Sequence, residues 1–298
     1  MSAFIKEGVK ASTVALPKGA WPTLLDFLSE RFANIGEEVW RDRFTRGRVL
    51  DAQGRALSVD TAYCAGTTIH YFREIPNEPV IPFTEKVLFV DEHLIVVDKP
   101  PFLPVTPSGA FAQQTLLARL NKTFAGMDVA PLHRIDRHTS GLVLFSNNSQ
   151  SRDAYHQLFR HRLIEKTYHA WAPPITNRAL PFTHATRIVT GEPFFRSQEV
   201  VGEPNSHTQI EVLERGRQFW RYALKPITGR KHQLRVQLAG LGAAICNDPI
   251  YPEINVLSTY DDYQRPLKLL AHQLTFNDPI TGLRREFFSQ QVMSEPEP

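Results

Sequence analysis

Apolar side chains near the start of the chain recur at the spacing of an amphipathic helix. Leu24, Leu25, Leu28 and Phe32 fall on one face of a helix predicted within residues 21–35. The pattern then predicts a second short helix and two short strands, at residues 39–44, 47–50 and 66–72. Two helices followed by short strands indicate a small module of about 60 residues, near the lower size limit for independent folding.

A proline-rich stretch separates this module from the rest of the chain. Pro76, Pro79 and Pro82 interrupt residues 73–83, and proline lacks the backbone donor that a regular element needs. We therefore predict a module at residues 1–78 and a larger domain at residues 79–298.

The larger domain shows apolar strand patterns that mostly follow one another without helices between them. Two of them, at residues 87–90 and 94–97, flank a turn and predict a hairpin. Helices are predicted at 114–120 and 150–162, and further strands at 141–145, 167–171, 183–188, 208–213 and 219–224. Successive strands favour antiparallel or mixed pairing. The predicted class is α+β, with a mixed, largely antiparallel sheet flanked by helices.

Composition narrows the range of functions. Of 298 residues, 42% are hydrophobic, which suffices for a sizeable core. No apolar run approaches the roughly 18 residues of a membrane span, so we expect no membrane association. Cys64 and Cys246 are the only cysteines, which favours a reducing compartment and hence the cytoplasm. The 34 basic and 31 acidic residues give a net charge of +3, which alone neither indicates nor excludes a nucleic-acid partner.

The most informative segment is residues 131–145, PLHRIDRHTSGLVLF. A lone carboxylate, Asp136, stands among Arg134, Arg137 and His133 just before an apolar strand. A carboxylate bracketed by positive charge is expected to be ionised at neutral pH, and it can then act as a nucleophile or a base. An Asp that only forms a structural ion pair with Arg134 explains the same charges.

A second segment, residues 224–238, is LKPITGRKHQLRVQL. If a helix starts near Arg230, with Thr228 as its N-cap, several cations occupy its first turns. Such cations oppose the helix dipole, and an anionic partner, either a phosphate or a carboxylate such as Asp136, would relieve the conflict. A solvated basic face is the alternative. Basic residues outnumber acidic ones throughout 214–237, and this distribution points to an anionic partner more clearly than the net charge does.

Other signatures of chemistry are missing. The chain has no Walker loop, no dinucleotide fingerprint and no G-x-S-x-G elbow. Its histidines form no pair with metal-ligand spacing beside a carboxylate. We expect neither metal nor cofactor. Taken alone, Tyr168, which lies on a predicted strand, is interpreted as a core aromatic residue.

Taken together, the motifs resemble those of RluA-type pseudouridine synthases. HRIDRHTSGLVLFS matches the family's catalytic motif, with Ile135 for the usual Leu. Four more stretches resemble family motifs in the same order: VDEHLIVVDKPPFLPV, LKPITGRKHQLRVQ, LGAAICNDPIY and LLAHQLTF. Ala244 and Asn247 stand where Pro and Gly are usual, and Gln237 where His is common.

The resemblance implies a pseudouridine synthase catalytic fold and a reaction. An RNA pseudouridine synthase breaks the uracil–ribose bond, turns the base and rejoins it through carbon 5, after flipping the uridine out of structured ribosomal or transfer RNA. By resemblance Asp136 is the catalytic aspartate, Tyr168 the active-site tyrosine that stacks on the base, and Arg235 the partner of the aspartate. Further RNA contacts are expected from Arg134, which can fill the vacated stack, and from Arg137, His138, Arg230, Lys231 and His232.

The first module resembles the alpha-L RNA-binding domain more weakly, through residues 40–72. Arg41, Arg43, Arg46 and Arg48 recur over eight residues and are predicted to share an RNA-facing surface. The equally good alternative is that these arginines only balance the negative charges of Glu37, Glu38 and Asp42. For the whole chain we expect a monomeric isomerase, and a catalytically inactive RNA-binding protein of the same fold is the other possibility.

Overall fold

A computed structural model describes residues 4–254 and 261–297. The chain divides into two units: Met1–Pro79 with Pro107–Gly126, and Val80–Thr106 with Met127–Pro298. The first unit thus also takes in residues 107–126, which no sequence signal indicated. The predicted boundary between residues 78 and 79 stays a prediction.

The first unit contains three short helices and two small sheets. Its elements are β1 (Ile5–Lys6), β2 (Val9–Lys10), β3 (Ser12–Ala15), α1 (Leu24–Arg31), α2 (Glu37–Thr45), β4 (Val49–Leu50), β5 (Thr68–Tyr71) and α3 (Leu116–Thr123). Thr23 caps α1 in a capping box with Asp26, and β3, β5 and β4 form an antiparallel sheet. The predicted helices and strands are confirmed here, whereas the β1–β2 hairpin was not predicted.

The part-buried carboxylate of Glu74 contacts three arginines of the first unit. Arg46 donates to both of its oxygens at 2.8 and 2.7 Å, and Arg48 lies 3.2 Å from it. Arg43 is 3% exposed, lies over the ring of Trp40 and reaches Glu74 at 3.9 Å. These ion pairs fix the end of α2 against the segment that leaves the unit.

The second unit is built on one large mixed sheet. Its elements are β6 (Lys86–Val90), β7 (Leu94–Lys99), β8 (Ala130–Pro131), β9 (Ser140–Ser146), α4 (Arg152–Arg160), β10 (Glu165–Ala172), β11 (Phe182–Thr190), β12 (Ser197–Val200), β13 (Ser206–Arg215), β14 (Trp220–Pro226), α5 (Gln233–Gly240), β15 (Leu269–Asn277) and β16 (Arg284–Phe288). The main order is β12-β11-β13-β14-β10-β15-β9-β7-β6, with β16 on β15 and β8 on β9.

All neighbouring pairs of this sheet within the described residues are antiparallel except β9 with β15, which is parallel. The predicted α+β class with mixed, largely antiparallel pairing is confirmed. Two apolar clusters cover the sheet. One includes Leu144, Leu158 and Phe276 beside α4, and the other includes Leu224 and Leu238 beside α5.

No helix in residues 4–254 or 261–297 has the length and apolarity needed to cross a membrane.

Candidate active site

Asp136 lies in the loop between β8 and β9, just before β9, which is an interior strand of the sheet. The backbone N–H of Thr139 donates to the Asp136 carbonyl at 3.1 Å and closes a turn. Strand β9 follows at once, and Gly141 there has φ +106°. A Cβ at this position would lie 2.3 Å from the Ala271 carbonyl of β15, so only glycine fits. The motif's glycine therefore allows the two strands to approach closely beside the loop.

The geometry brings Asp136 together with Arg235. The Nη1 of Arg235 donates to Oδ2 of Asp136 at 3.2 Å. The Asp136 side chain is 29% exposed and that of Arg235 only 2%. A carboxylate that is partly open to solvent thus contacts a buried guanidinium group.

Asp248 is the second carboxylate that contacts Arg235. Nε and Nη2 of Arg235 donate to its two oxygens, each at 2.7 Å, and Asp248 is fully buried. Burial by itself lowers the pKa of Arg235, but hydrogen bonds and attraction from Asp248 and Asp136 raise it above its ordinary value. Arg235 is therefore a permanent cation held in one orientation.

His232 and Tyr251 are the next residues in the network of contacts around Asp136. The Nε2 of His232 lies 3.9 Å from Oδ1 of Asp136, and its Nδ1 lies 3.0 Å from the Tyr251 hydroxyl. Burial lowers the pKa of His232 to about 4, although Asp136 opposes this shift. The imidazole is therefore neutral at pH 7. Tyr251 also packs its ring against Arg235 at 5.4 Å.

The helix that carries Arg235 begins later than expected. It starts at Gln233, with His232 as its N-cap in the left-handed region at φ 55°, so the prediction of a start near Arg230 capped by Thr228 is wrong. The Thr228 hydroxyl instead donates to Gln233 Oε1 and accepts from the backbone of His207. These contacts join the threonine to the first residue of α5 and to β13.

Tyr168 lies in β10, between Leu224 of β14 and Ala271 of β15. The pairing with β15 shifts register between Thr167 and Tyr168. Burial and the nearby charge of Asp136 raise the pKa of Tyr168 above its ordinary value. The hydroxyl therefore carries its proton at neutral pH, within electrostatic reach of the aspartate.

Lys99 is a site residue that sequence reasoning missed. Its side chain is completely buried at the end of β7, and its Nζ donates to the carbonyls of Pro100 at 2.8 Å and Arg137 at 3.0 Å. Burial holds the pKa of Lys99 well below its ordinary value, and Asp136 opposes the shift. A lysine between an apolar strand and two prolines was the available signal.

The residues predicted to contact RNA around the aspartate fall into two groups. Arg134, Arg230 and Lys231 are exposed. Arg137 instead donates to Asp261, at 2.9 Å for Nη2, and His138 lies 3.4 Å from the same carboxylate. Hydrogen bonds from His138 and Arg137 outweigh burial and lower the pKa of Asp261 to about 2.

The four arginines of the first unit do not form one surface. Arg43 and Arg48 are 3% and 7% exposed and point to Glu74. Arg41 and Arg46 are accessible, but Arg41 pairs with Glu37 of α2, and Arg46 pairs with both Asp42 and Glu74. The structure thus leaves Arg41 and Arg46 accessible for contacts with RNA, and their role stays a prediction.

Among residues 4–254 and 261–297, no cluster of three or more His, Cys, Asp or Glu side chains could hold a metal ion.

Comparison with known proteins places these features in a family. Residues 93–240 match the family model described as RNA pseudouridylate synthase. The dual-specificity RNA pseudouridine synthase RluA of Vibrio cholerae is 32% identical over 220 residues, 71% of this chain and 84% of that protein. An uncharacterized RNA pseudouridine synthase of Synechocystis is 29% identical over 233 residues, covering 76% of this chain and 79% of that protein.

Other relatives are longer or resemble the chain in fold alone. Human pseudouridylate synthase RPUSD2 is 30% identical over 202 residues, but these span only 35% of that protein. The solved structure of human RNA Pseudouridylate Synthase Domain Containing 1 has a TM-score of 0.58 at 24% identity, over 72% of this chain and 86% of its own.

Fold, motifs and relatives together define an isomerase that converts uridine to pseudouridine in RNA. The chain belongs to the RNA pseudouridine synthase family, of the RluA type. The family predicted from the five motifs is confirmed.

Proposed function

We propose that Asp136, Tyr168 and Arg235 carry out the isomerisation in this chain. The observation that carries the proposal is the contact between a part-exposed carboxylate and a buried arginine, 3.2 Å apart. Arg235 places a buried positive charge against Asp136, and a carboxylate in this position can attack or take a proton.

The reaction replaces one bond to the ribose by another. The bond from ribose C1′ to N1 of uracil breaks, the base turns, C5 bonds to C1′, and the proton on C5 is lost while N1 gains one. Asp136 assists this exchange by attack on the ribose, by elimination to a glycal or by addition to the base. Because Tyr168 keeps its proton at neutral pH, its hydroxyl acts as a hydrogen-bond donor or proton relay beside the base rather than as a phenolate.

The substrate we propose is a uridine flipped out of structured ribosomal or transfer RNA. Two of the relatives are named tRNA pseudouridine synthases of yeast, and the Vibrio relatives are named dual-specificity enzymes. Arg134, which is exposed in the same loop as Asp136, is the residue that we propose fills the space left by the base. Arg230 and Lys231 would meet the RNA backbone, whereas Arg137 and His138 would act through Asp261. The reaction requires no redox change, and we propose a monomer in the cytoplasm that acts without a cofactor.

Arg41 and Arg46 of the first unit are proposed as separate contacts to the RNA backbone. Replacing either with Gln should weaken RNA binding and reduce its dependence on salt, because each contact releases counterions. Arg55, exposed and paired with Asp51 in the same unit, provides the matched control. Unchanged binding in both variants would contradict the proposal.

Loss of the C5 hydrogen provides the direct test of activity. RNA labelled with tritium at uridine C5 should release tritium to water with the wild-type chain and none above background with Asp136→Asn or Asp136→Ala. Asp153→Asn, at an exposed ion pair with Arg160, should behave as wild type. Tritium release by Asp136→Ala would refute the assignment. RNA binding without release by the wild-type chain would instead indicate an inactive RNA-binding protein.

A further inference from the structure

The turn between β11 and β12 exposes two adjacent aromatic side chains. Phe194 is 78% exposed and Phe195 39%. Their rings meet edge to face at 5.9 Å. Exposed aromatic residues at a loop tip are a common means of binding unpaired bases.

The turn is held firmly. Gly191 donates to the Arg196 carbonyl at 3.2 Å, and Arg196 donates to the Pro193 carbonyl at 2.8 Å. Ser197, the next residue, donates through its backbone N–H to the Tyr251 hydroxyl at 2.7 Å, and that hydroxyl donates back to the Ser197 carbonyl at 3.1 Å. The turn that carries the two phenylalanines is therefore fixed by backbone hydrogen bonds and by Tyr251.

Tyr251, which holds the turn, also contacts the residues beside Asp136. Tyr251 stacks between two guanidinium groups, Arg196 of the turn at 5.0 Å and Arg235 of the candidate active site at 5.4 Å. Its hydroxyl contacts His232, which lies 3.9 Å from Asp136. The turn that carries Phe194 is thus linked to Asp136 through Tyr251 and His232, which places it on the same unit as the candidate active site.

Positive charge accompanies the aromatic tip. The Nζ of exposed Lys231 donates to the Phe194 carbonyl at 3.3 Å, and the Lys231 carbonyl accepts from Ser197 Oγ at 2.9 Å. Exposed Arg230 precedes it in the chain. An apolar ring beside cations fits a ligand that has an aromatic face and a phosphate, which is a nucleotide.

We propose that Phe194 is a stacking platform for an unpaired base of the substrate RNA close to the target uridine, with Lys231 beside it on the phosphate. The proposal rests on the proposed function for its ligand. It assigns the turn at residues 191–196 to substrate binding and not to the chemical step.

The test compares five variants of the whole chain, three of them at Phe194, one at Leu283 and one at Lys231. Phe194→Ala removes the ring, Phe194→Leu keeps an apolar side chain without a π face, and Phe194→Trp keeps an aromatic one. Leu283→Ala is the control, since Leu283 is 62% exposed just before β16. The probe is tritium-labelled RNA from cells that lack the gene, used for filter binding and for tritium release at limiting and saturating RNA.

We expect Phe194→Ala and Phe194→Leu to weaken RNA binding by about tenfold and Phe194→Trp to bind as wild type does. The rate at saturating RNA should stay unchanged, because the ring does not touch the reacting atoms. Lys231→Gln should reduce the salt dependence of binding, which Phe194→Ala should leave unchanged.

Several results would overturn the proposal. Stacking is excluded if Phe194→Ala binds RNA as tightly as wild type, or if Phe194→Leu binds as tightly as Phe194→Trp. It is also excluded if Leu283→Ala binds as weakly as Phe194→Ala, or if the wild-type chain does not bind RNA. Binding that depends on Phe194 without tritium release by the wild-type chain would sustain the platform and refute the proposed function.

Discussion

Asp248 binds Arg235 more closely than Asp136 does. It accepts two hydrogen bonds of 2.7 Å, whereas Asp136 accepts one of 3.2 Å. Because Asp248 is fully buried, it determines the orientation of the guanidinium, and the candidate catalytic carboxylate receives the remaining nitrogen. Asp248 is therefore a positioning residue for the site.

Asp248→Asn should damage both the fold and the reaction. It leaves Arg235 buried with half of its countercharge removed, and breaking a buried ion pair costs about 3–5 kcal/mol. Urea unfolding should show this loss, and tritium release per folded molecule should fall as well. Asp153→Asn, at an exposed pair, should change neither quantity. If Asp248→Asn unfolds normally but releases tritium as wild type does, the positioning role is wrong.

Lys99→Met should affect activity more than stability. Its Nζ binds the carbonyl of Arg137, the residue after Asp136, so its loss frees the loop that carries the carboxylate. A displacement of about 1 Å in an active site can cost about 10²-fold in rate. For folding, removal of a buried charge is favourable while the loss of a donor to two carbonyls is unfavourable, so the two effects on the free energy of unfolding oppose each other. Kinetics and urea unfolding measure the two effects. Exposed Lys86, in the neighbouring strand β6, supplies the control Lys86→Met, and equal activities in the two variants would exclude the role.

Tyr168→Phe should lower kcat and leave KM nearly unchanged. The ring that would stack on the base remains, while the hydroxyl near Asp136 is lost, and a proton-transfer group typically contributes about 10²-fold or more. Tyr168→Ala should raise KM as well. Tyr222→Phe is the control, because the Tyr222 hydroxyl bonds only the backbone at residues 173 and 175 and should affect stability alone. A kcat for Tyr168→Phe equal to that of wild type would remove the hydroxyl from the mechanism.

His133→Gln should make stability less dependent on pH. Burial lowers the pKa of His133 from 6.5 to about 3, and its Nε2 accepts a hydrogen bond from Leu144. Between those pH values the unfolded chain binds a proton that the folded chain does not. The free energy of unfolding therefore falls as pH drops from 6.5 to 3, by up to about 1.4 kcal/mol per pH unit for this group.

Glutamine can accept the same hydrogen bond but does not titrate, so unfolding of His133→Gln followed from pH 7 to pH 4 should show a smaller slope. His161→Gln, at an exposed position in the turn after α4, should keep the wild-type slope. Parallel curves for all three chains would contradict the assignment.

Local pattern predicted much of the fold. Helix spacing at Leu24 and Leu28 and the apolar run at residues 141–145 gave elements that the structure contains, because burial of one face dictates those periods. The short strands β12 and β16 escaped detection, since each alternates exposed and part-buried positions with little apolar contrast. The pairing partners of a strand depend on the whole sheet and leave no local trace.

The candidate site was predictable where a motif carries its own signal. Asp136 stood out through its charged neighbours, and Arg235 joined it through the family resemblance. Asp248 and Lys99 were not predicted as site residues, because their importance arises from burial beside residues that are far away in the sequence. Arg41 and Arg43 cannot be distinguished from the sequence, but in the structure Arg43 is buried and Arg41 is accessible.

Strand β15 lies in the sheet between β10, which carries Tyr168, and β9, which follows the Asp136 loop. Leu269, its first residue, comes 97 positions after the end of β10 and 123 after the end of β9. A ribosome therefore completes the Asp136 loop and β10 long before it makes the strand that lies between β9 and β10. Until β15 has emerged and inserted, the two halves of the sheet share no strand, so we expect the candidate site to be completed only at that point.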